Sequence, residues 1–356
     1  QEVLQAVHRL LLRESQVQPL LLVLEDLHWI DHETQSILDG LVESLPAAQI
    51  LLLLNYRPEY RHDWAAKTYY RQLNIAPLPP ETAKELLDEL LGGNGSLAPL
   101  KELLIERTEG NPFFLEESVR TMAETGVLMG EPGARHLARP IDTLQLPSTT
   151  RAILEARIDR LATEDKRLLQ AAAVIGKNAP FALLSAVTED LSLDQLRTGL
   201  ARLQTAEFLY ETRLFPDIEY AFKHALTHDV AYEGLLHERR IALHRLILEA
   251  MERNDADHQS EQLDQLAYHA MRGEVWARAA TYLRRMGSKA EERGVLREAV
   301  ACFEQALSAL ERLPADRDII EWSIDLRFDL QGALYPLGST ERTLEHLQVA
   351  ERQAKA

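Results

Sequence analysis

Two adjacent acidic residues follow the first strongly apolar segment of the sequence. The run Leu20–Leu24 carries no polar side chain and leads directly into Glu25 and Asp26. Ligands of open α/β sheets bind beyond the carboxyl ends of the strands, where a carboxylate can hold Mg²⁺ beside a triphosphate, directly or through water. A strand that merely stops at solvated acids is the simpler alternative. We therefore interpret Glu25 and Asp26 as candidate catalytic and metal-binding residues.

A basic residue follows the second apolar segment. The run Ile50–Leu54 is succeeded by Asn55 and, two positions later, by Arg57. A guanidinium can donate two parallel hydrogen bonds to phosphate oxygens and would respond to their loss on hydrolysis. A surface arginine after a strand is the alternative. Arg57 is therefore a candidate phosphate-binding residue.

The residues after the acidic pair indicate a family. The segment LLLVLEDLHWID, residues 20–31, resembles the Walker B element of STAND-type signalling ATPases. The resemblance implies that Glu25 helps to hold Mg²⁺, that Asp26 positions or polarises the attacking water, and that Arg57 lies at the sensor position near the γ-phosphate. It leaves open which of the two acids has which role.

A second motif lies in the helical segment that follows. The stretch EGNPFFLEE, residues 109–117, resembles the Gly-x-Pro element of the same ATPases. The resemblance implies that Gly110, Asn111 and Pro112 line the nucleotide site. The alternative is a plain helix start, with Asn111 as N-cap and Pro112 in the first turn. Both interpretations can hold together.

A histidine is the last candidate nucleotide contact. The stretch YAFKHALTHDVAY, residues 220–232, resembles the winged-helix end of the family's ATPase module. The resemblance implies that His224, rather than His228, reaches the β-phosphate of ADP and holds the closed state. An imidazole donates one hydrogen bond when neutral and two when protonated. A purely structural histidine is the alternative.

The sequence contains no phosphate-binding loop. Nothing in it matches G-x-x-x-x-G-K-[ST], whose backbone amides and lysine cradle phosphates, and Gly92-Gly93-Asn94-Gly95 lacks the lysine. The resemblance places such a loop upstream of Gln1. We therefore expect an internal fragment that binds ATP weakly and hydrolyses it negligibly by itself.

The elements that must position these residues change in type along the chain. Two continuously apolar strands alternate with helices at the N-terminus, which predicts a parallel sheet covered on both faces. Helices at 149–161, 164–174 and 192–204 precede two alternating segments at 208–212 and 218–223, a winged-helix pattern. Ser192 and Gln195 form the pattern of a capping box.

The C-terminal third has helical periodicity throughout. Residues 280–314 fit one tetratricopeptide (TPR) repeat, and a second helical pair is predicted at 319–335 and 341–354. The packing positions of the repeat are Leu283, Gly287, Ala290, Ala299, Phe303 and Ala306. An array normally needs about three units, so we expect the repeats to continue past Ala356.

The predicted fold class is mainly α, with a partial α/β portion like a P-loop NTPase at the N-terminus, a winged-helix middle and a TPR-like C-terminal array. The predicted portions are 1–76 for the ATPase core, 77–130 for a helical lid, 131–147 for a linker, 148–232 for the winged-helix domain and 233–356 for the repeats.

Composition limits the class of partner. Lysine and arginine total 39 against 56 acidic residues, a formal net charge of −17 that opposes binding to nucleic acid or anionic lipid. Cys302 is the only cysteine, which excludes an intramolecular disulfide and a thiolate-rich zinc site. No apolar run approaches the roughly 20 residues that cross a bilayer. We expect a cytoplasmic protein.

The resemblance extends over residues 1 to about 250 and is closest to modules found downstream of class III adenylate or guanylate cyclase domains. It implies an ATP/ADP-dependent switch with Mg²⁺ as cofactor, which regulates a fused output domain upstream or downstream. The repeats would receive a protein or small-molecule effector, and a nucleotide-dependent oligomer is possible. Two alternatives stay open: the ATPase module of a LuxR-type transcription regulator, and a non-catalytic scaffold for protein interaction.

Overall fold

The computed structural model describes residues 2–27, 30, 32–138, 149–188, 190–213, 218–254 and 262–355. Positions 28, 29 and 31 of the LHWID stretch lie outside the described residues, as do 139–147 of the predicted linker and the predicted turn at 215–217. The chain forms two compact units, Gln1–Ala76 and Pro77–Ala356. It is mainly α-helical, as predicted, with a small α/β portion in the first unit.

The first unit alternates helices and strands. Its elements are α1 Glu2–Ser15, β1 Leu20–Leu24, α2 His32–Ser44 and β2 Ile50–Leu54. The two strands pair in parallel with Leu20 opposite Ile50 and Leu24 opposite Leu54. Leu27, Leu38, Val42 and Trp64 form the buried core against one face of this sheet. The parallel pairing brings the carboxyl ends of both strands to one edge.

The other face of the two-stranded sheet differs from the prediction. Leu21, Val23, Leu51 and Leu53 share that face and are 61%, 53%, 66% and 54% exposed. In the described part of this unit, helices therefore cover one face rather than two. The side chains that alternate with these four are partly buried, so the continuous apolar character predicted burial on one face and not on the other.

Three helices begin the second unit and share one core. They are α3 Pro80–Leu91, α4 Ala98–Thr108 and α5 Pro112–Glu124. A short hairpin follows, β3 Leu128–Met129 with β4 His136–Leu137. The structure thus differs from the predicted linker, because β4 lies within it. The Arg135 amide donates to Leu91 O over 2.9 Å, which ties the hairpin to the end of α3.

The next part combines four helices with a three-stranded sheet. The helices are α6 Thr150–Asp159, α7 Thr163–Ile175, α8 Phe181–Val187 and α9 Leu193–Thr205. The antiparallel strands are β5 Asn178–Pro180, β6 Leu209–Arg213 and β7 Glu219–Phe222, with β7 in the centre. Ser192 and Gln195 form the predicted capping box of α9. The sequence prediction missed β5 and α8, both short elements.

The remaining elements are helices, and all but the first of them pack on one another in sequence order. They are α10 Ala225–Glu233, α11 His237–Asn254, α12 Leu263–Arg272, α13 Trp276–Glu292, α14 Leu296–Leu310, α15 Arg317–Leu334 and α16 Thr340–Lys355. All six predicted repeat positions are buried. A Cβ on Gly287 would lie 2.5 Å from the Phe303 ring, so α13 and α14 can pack this closely only with glycine there. The predicted TPR-like array is confirmed. In the described part of the chain, no helix is both long and apolar enough to span a membrane.

Candidate functional site

The carboxyl ends of β1 and β2 are joined by three hydrogen bonds to one residue. The Asn55 amide donates to Leu24 O over 3.1 Å, and Asn55 O accepts from the Leu27 amide over 3.1 Å. The side chain of Asn55 also accepts from the Asp26 amide over 2.6 Å. Asn55 therefore fixes the backbone of the acidic pair at the edge of the sheet where ligands of α/β domains bind.

Asp26 has an uncommon backbone conformation. Its φ is +57°, in the left-handed region that residues other than glycine seldom adopt. Such a conformation costs about 1–2 kcal/mol and persists where neighbouring contacts enforce it, often at functional sites. The hydrogen bond to Asn55 is such a contact. No pattern of residues around Asp26 predicts this backbone conformation.

The charged candidates of the first unit are exposed. None of the side chains of Glu25, Asp26 and Arg57 has a hydrogen bond or ion pair with another residue that the structure describes. Among the residues that the structure describes, no group of three or more His, Cys, Asp or Glu could hold a metal ion. Two carboxylates still suit Mg²⁺, which proteins commonly bind through one or two carboxylates and the phosphates of a substrate.

An aromatic cluster that sequence analysis missed positions the segment around Arg57. Tyr56 Oη lies 2.7 Å from Tyr70 Oη and 3.0 Å from Nε2 of His62. The His62 ring stacks on Trp64, whose Nε1 donates to Asp39 over 2.8 Å. Burial lowers the pKa of His62, so its ring is neutral at pH 7. The high density of aromatic residues between positions 56 and 70 is the sequence feature from which this cluster could have been predicted.

In the second unit, Gly110 is required by a close backbone approach. Its φ is +75°, and a Cβ there would lie 2.2 Å from Leu78 O. The Leu78 amide donates to Gly110 O over 2.8 Å. Asn111 caps α5 by accepting from the Phe114 amide over 3.1 Å, and Pro112 is the first helical residue. The plain helix-start interpretation of Asn111 and Pro112 is therefore correct, and it leaves their proposed nucleotide contacts open.

The predicted histidine lies beside this helix start. The rings of Phe113 and His224 have centroids 4.1 Å apart. Burial, followed by the charge of Lys223, lowers the pKa of His224, so its imidazole is neutral at pH 7. His224 immediately precedes α10, whose N-terminal amides carry partial positive charge. His228 instead contacts Asp229 at 3.1 Å and faces Phe222 edge-on.

Two cations share one carboxylate close to His224. Arg120 Nη2 donates to Glu207 over 2.7 Å, and Lys223 Nζ also pairs with Glu207. These two pairings lower the pKa of the Glu207 carboxyl against the opposing effect of its burial. The three side chains come from α5, the turn before β6, and the end of β7. Helix α5 and the segment of His224 are therefore joined by ion pairs through Glu207 as well as by the ring contact at the start of α5.

A buried arginine joins α5 to α6. Arg157 pairs with the buried Glu117 and with Glu124, the latter over 2.9 Å. It also donates to Ala206 O over 2.9 Å and lies over the Phe208 ring at 4.6 Å. Every one of these partners is distant in sequence from Arg157. The periodicity of the sequence consequently did not predict the cluster.

The chain resembles known proteins only weakly in sequence and in structure. No protein-family model matches the chain. An uncharacterised protein of Rhizobium meliloti (strain 1021) is 27% identical over 307 residues, which cover 84% of this chain and 29% of that protein. The solved structure of a STAND protein with a tetratricopeptide repeat sensor from Pyrococcus horikoshii matches at a TM-score of 0.47 and 10% identity, covering 99% of this chain and 52% of that one. The chain thus spans less than a third of the curated relative's length.

Proposed function

We propose that the chain is an ATP/ADP-dependent switch module of the STAND type. The observation that carries the proposal is the contact of His224 with Phe113, the residue directly after Gly110, Asn111 and Pro112. Two motifs that resemble nucleotide contacts of that family, and that lie more than 100 residues apart in the sequence, are adjacent in the fold. Unrelated packing segments would meet in this way only by coincidence.

A neutral histidine next to a helix N-terminus suits the recognition of phosphate. The neutral ring of His224 can donate one hydrogen bond, and α10 adds the partial positive charge of its first amides. The hydrogen bond from His224 would form with the β-phosphate of ADP. It would be lost in ATP, whose γ-phosphate moves the β-phosphate relative to His224, and the module would therefore favour ADP. A ligand shifts a conformational equilibrium only through such a difference in affinity.

In the first unit, the acidic pair would act on Mg²⁺ and water. Glu25 and Asp26 have no side-chain hydrogen bond or ion pair with another described residue, and they follow a parallel strand. They would hold Mg²⁺ and orient the attacking water, and Arg57 would bind phosphate oxygens. Mg²⁺ would supply charge neutralisation for the phosphates. The left-handed backbone at Asp26 supports a functional role for this pair, because such strain collects at functional sites.

The helical array would receive the signal, and the output would belong to a fused domain. We propose a class III nucleotide cyclase as that domain, on the resemblance of residues 1 to about 250 alone. A non-catalytic scaffold is the second candidate. Residues 1–356 contain no G-x-x-x-x-G-K-[ST] motif, so the absence of this motif from the rest of the full-length gene product as well would favour the scaffold.

ATP hydrolysis by the full-length gene product distinguishes the two functions. Glu25→Gln and Asp26→Asn keep the size of each side chain and remove its charge. We expect at least one of them to lower turnover by about 100-fold or more, because each would remove an interaction with the transition state. Glu59→Gln, at an exposed acid of the same unit, is the matched control. Turnover that is absent from the parent protein would favour the scaffold, whereas equal turnover in all three variants would overturn the assignment of Glu25 and Asp26.

A further inference from the structure

Three lysine or arginine side chains are buried in the described part of the chain. Lys101, Arg157 and Arg327 have 4%, 3% and 9% of their surface exposed. Lys101 pairs with the carboxylate of Asp88, and Arg157 pairs with that of Glu117. Arg327 has no carboxylate partner among the described residues. An uncompensated buried ion is costly, so buried charges are normally paired.

The contacts of Arg327 leave its charge uncancelled. Its Nη1 lies 3.0 Å from Nδ1 of His346 on the neighbouring helix α16. Since a guanidinium only donates, Nδ1 must accept, and His346 is therefore neutral. Burial and the charge of Arg327 both lower the pKa of His346, in agreement with this assignment. The Nε atom of Arg327 is buried and has no hydrogen-bond partner.

Two further polar side chains lie along the same contact of α15 with α16. Ser323 is buried one turn before Arg327, and Gln353 lies two turns after His346. The Ser323 hydroxyl is 3.4 Å from both terminal atoms of the Gln353 amide, which is long for a hydrogen bond between such groups. We call Ser323, Arg327, His346 and Gln353 the polar seam. Its hydrogen-bonding groups are poorly satisfied by one another.

The acids around the polar seam do not neutralise it. Glu311, at the end of α14, raises the pKa of Arg327 against the larger effect of burial, yet forms no ion pair with it. Glu304 of α14 lies near His346 but is already paired with Arg342 of α16. The seam therefore keeps one buried positive charge and an orphaned N–H group.

We propose that the polar seam is a binding site for an oxyanion, either a carboxylate or a phosphate group. The oxyanion would accept from Nε and the adjacent terminal nitrogen of Arg327, the side-on bidentate arrangement that suits planar guanidinium. Ser323 is placed to donate a third hydrogen bond. The site lies within the helical array and uses none of the residues assigned to the nucleotide, so the proposal does not depend on nucleotide binding.

Anion titrations of the 356-residue chain test the proposal. Inorganic phosphate and acetate are added separately at constant ionic strength, and the Nε–H signals of ¹⁵N-labelled arginine are followed by NMR. We expect one signal, identified by its loss in Arg327→Met, to shift saturably with at least one anion. The anion that causes the shift assigns the group as phosphate or carboxylate.

A matched pair of variants controls for general effects of charge. Arg317→Met removes an exposed arginine from the same helix, with 89% of its side chain accessible. The bound anion should raise the midpoint of thermal unfolding of the wild type and of Arg317→Met, and leave that of Arg327→Met unchanged. Affinity should fall at least about 10-fold in Arg327→Met, since hydrogen bonds to charged groups are strong.

Arg327→Lys provides a second comparison if methionine impairs folding. Lysine keeps the positive charge and lacks the guanidinium fork, so anion affinity should fall while the fold is retained. Absence of a saturable response to both anions would overturn the proposal. An undiminished response in Arg327→Met or Arg327→Lys would overturn it equally.

Discussion

The rings of Phe113 and His224 have centroids 4.1 Å apart, so the start of α5 directly contacts the residue that precedes α10. Phe113 follows the Gly110–Pro112 element, and His224 ends the segment after the central strand of the three-stranded sheet. A displacement of either segment would disturb this contact. The contact is the physical basis for treating them as parts of one switch.

A double-mutant cycle measures this contact. We expect Phe113→Leu and His224→Ala each to lower the free energy of unfolding, and their combination to lower it by less than the sum. Aromatic pairs contribute about 0.5–1.5 kcal/mol beyond the area that they bury. Urea unfolding of the four proteins gives the coupling energy. The same cycle with His237→Ala, whose side chain is 73% exposed, should give a coupling near zero.

The buried ion pair of Arg157 should be far more important for stability than an exposed one. Arg157→Ala leaves the buried Glu117 with only its longer ion pair to Arg120, at 3.7 Å, so we expect a loss of about 3–5 kcal/mol. Arg151 on the same helix pairs with Glu155 and Glu233 at the surface, and Arg151→Ala should cost much less, because exposed ion pairs contribute little to stability. Denaturant unfolding measures the free energy of unfolding of both variants. Equal losses of this free energy would show that the ion pairs of Arg157 are exposed to water.

Relief of the backbone strain at Asp26 should increase the stability of the protein and decrease its ATPase activity. Asp26→Gly removes the penalty of the left-handed backbone, and Asp63→Gly makes the same substitution at a φ of −103°. We expect the Asp26 variant to be more stable than the Asp63 variant by about 1–2 kcal/mol. The Asp26 variant should nevertheless lose ATPase activity in the full-length gene product. A more active Asp26→Gly protein would remove the case for a catalytic Asp26.

Two buried histidines between α11 and α12 predict a pH dependence of stability. Nδ1 of His244 lies 2.9 Å from Nδ1 of His269, and Tyr232 Oη contacts Nε2 of His244 at 3.1 Å. Burial lowers the pKa of His244 to about 3 and that of His269 to about 4. Arg240 and Arg272 add positive charge around His244 and lower its pKa further.

Both histidines therefore bind protons more readily in the unfolded chain. Their contribution to stability is complete above the unfolded pKa of about 6.5 and is lost as the pH falls from there towards 4. The expected slope is about 1.4 kcal/mol per pH unit for each histidine inside that window. His269→Gln should reduce the slope by roughly half, whereas His237→Gln should leave it unchanged. An identical slope in His269→Gln would contradict the buried, neutral pair.

Local patterns were sufficient for much of the fold. Ser192 and Gln195 predicted a helix start because both partners of a capping box lie within one turn. Gly287 and Phe303 fitted a repeat whose spacing is fixed by the packing of consecutive helices. In both cases the residues that determine the structure are close in sequence, or recur at a fixed interval.

Contacts between distant segments could not be predicted in the same way. Arg157 and Glu117 are 40 residues apart, and neither the periodicity nor the charge pattern of their helices indicates that they meet. The sequence pattern indicates Asn55 only as a neighbour of the candidate phosphate-binding residue Arg57. In the structure, the side chain of Asn55 accepts a hydrogen bond from the Asp26 amide. A hydrogen bond across two strands depends on register, which is determined only when the sheet forms.

The proposed switch requires His224 to distinguish ADP from ATP. Equilibrium titration of the full-length gene product with ADP and with ATP, for the wild type, His224→Ala and His237→Ala, tests it most directly. We predict that His224→Ala weakens ADP binding by about 10-fold, the effect of one lost hydrogen bond to a charged group, and changes ATP binding much less. His237→Ala should behave as the wild type. Unchanged ADP affinity in His224→Ala, or an equal loss for both nucleotides, would contradict the account.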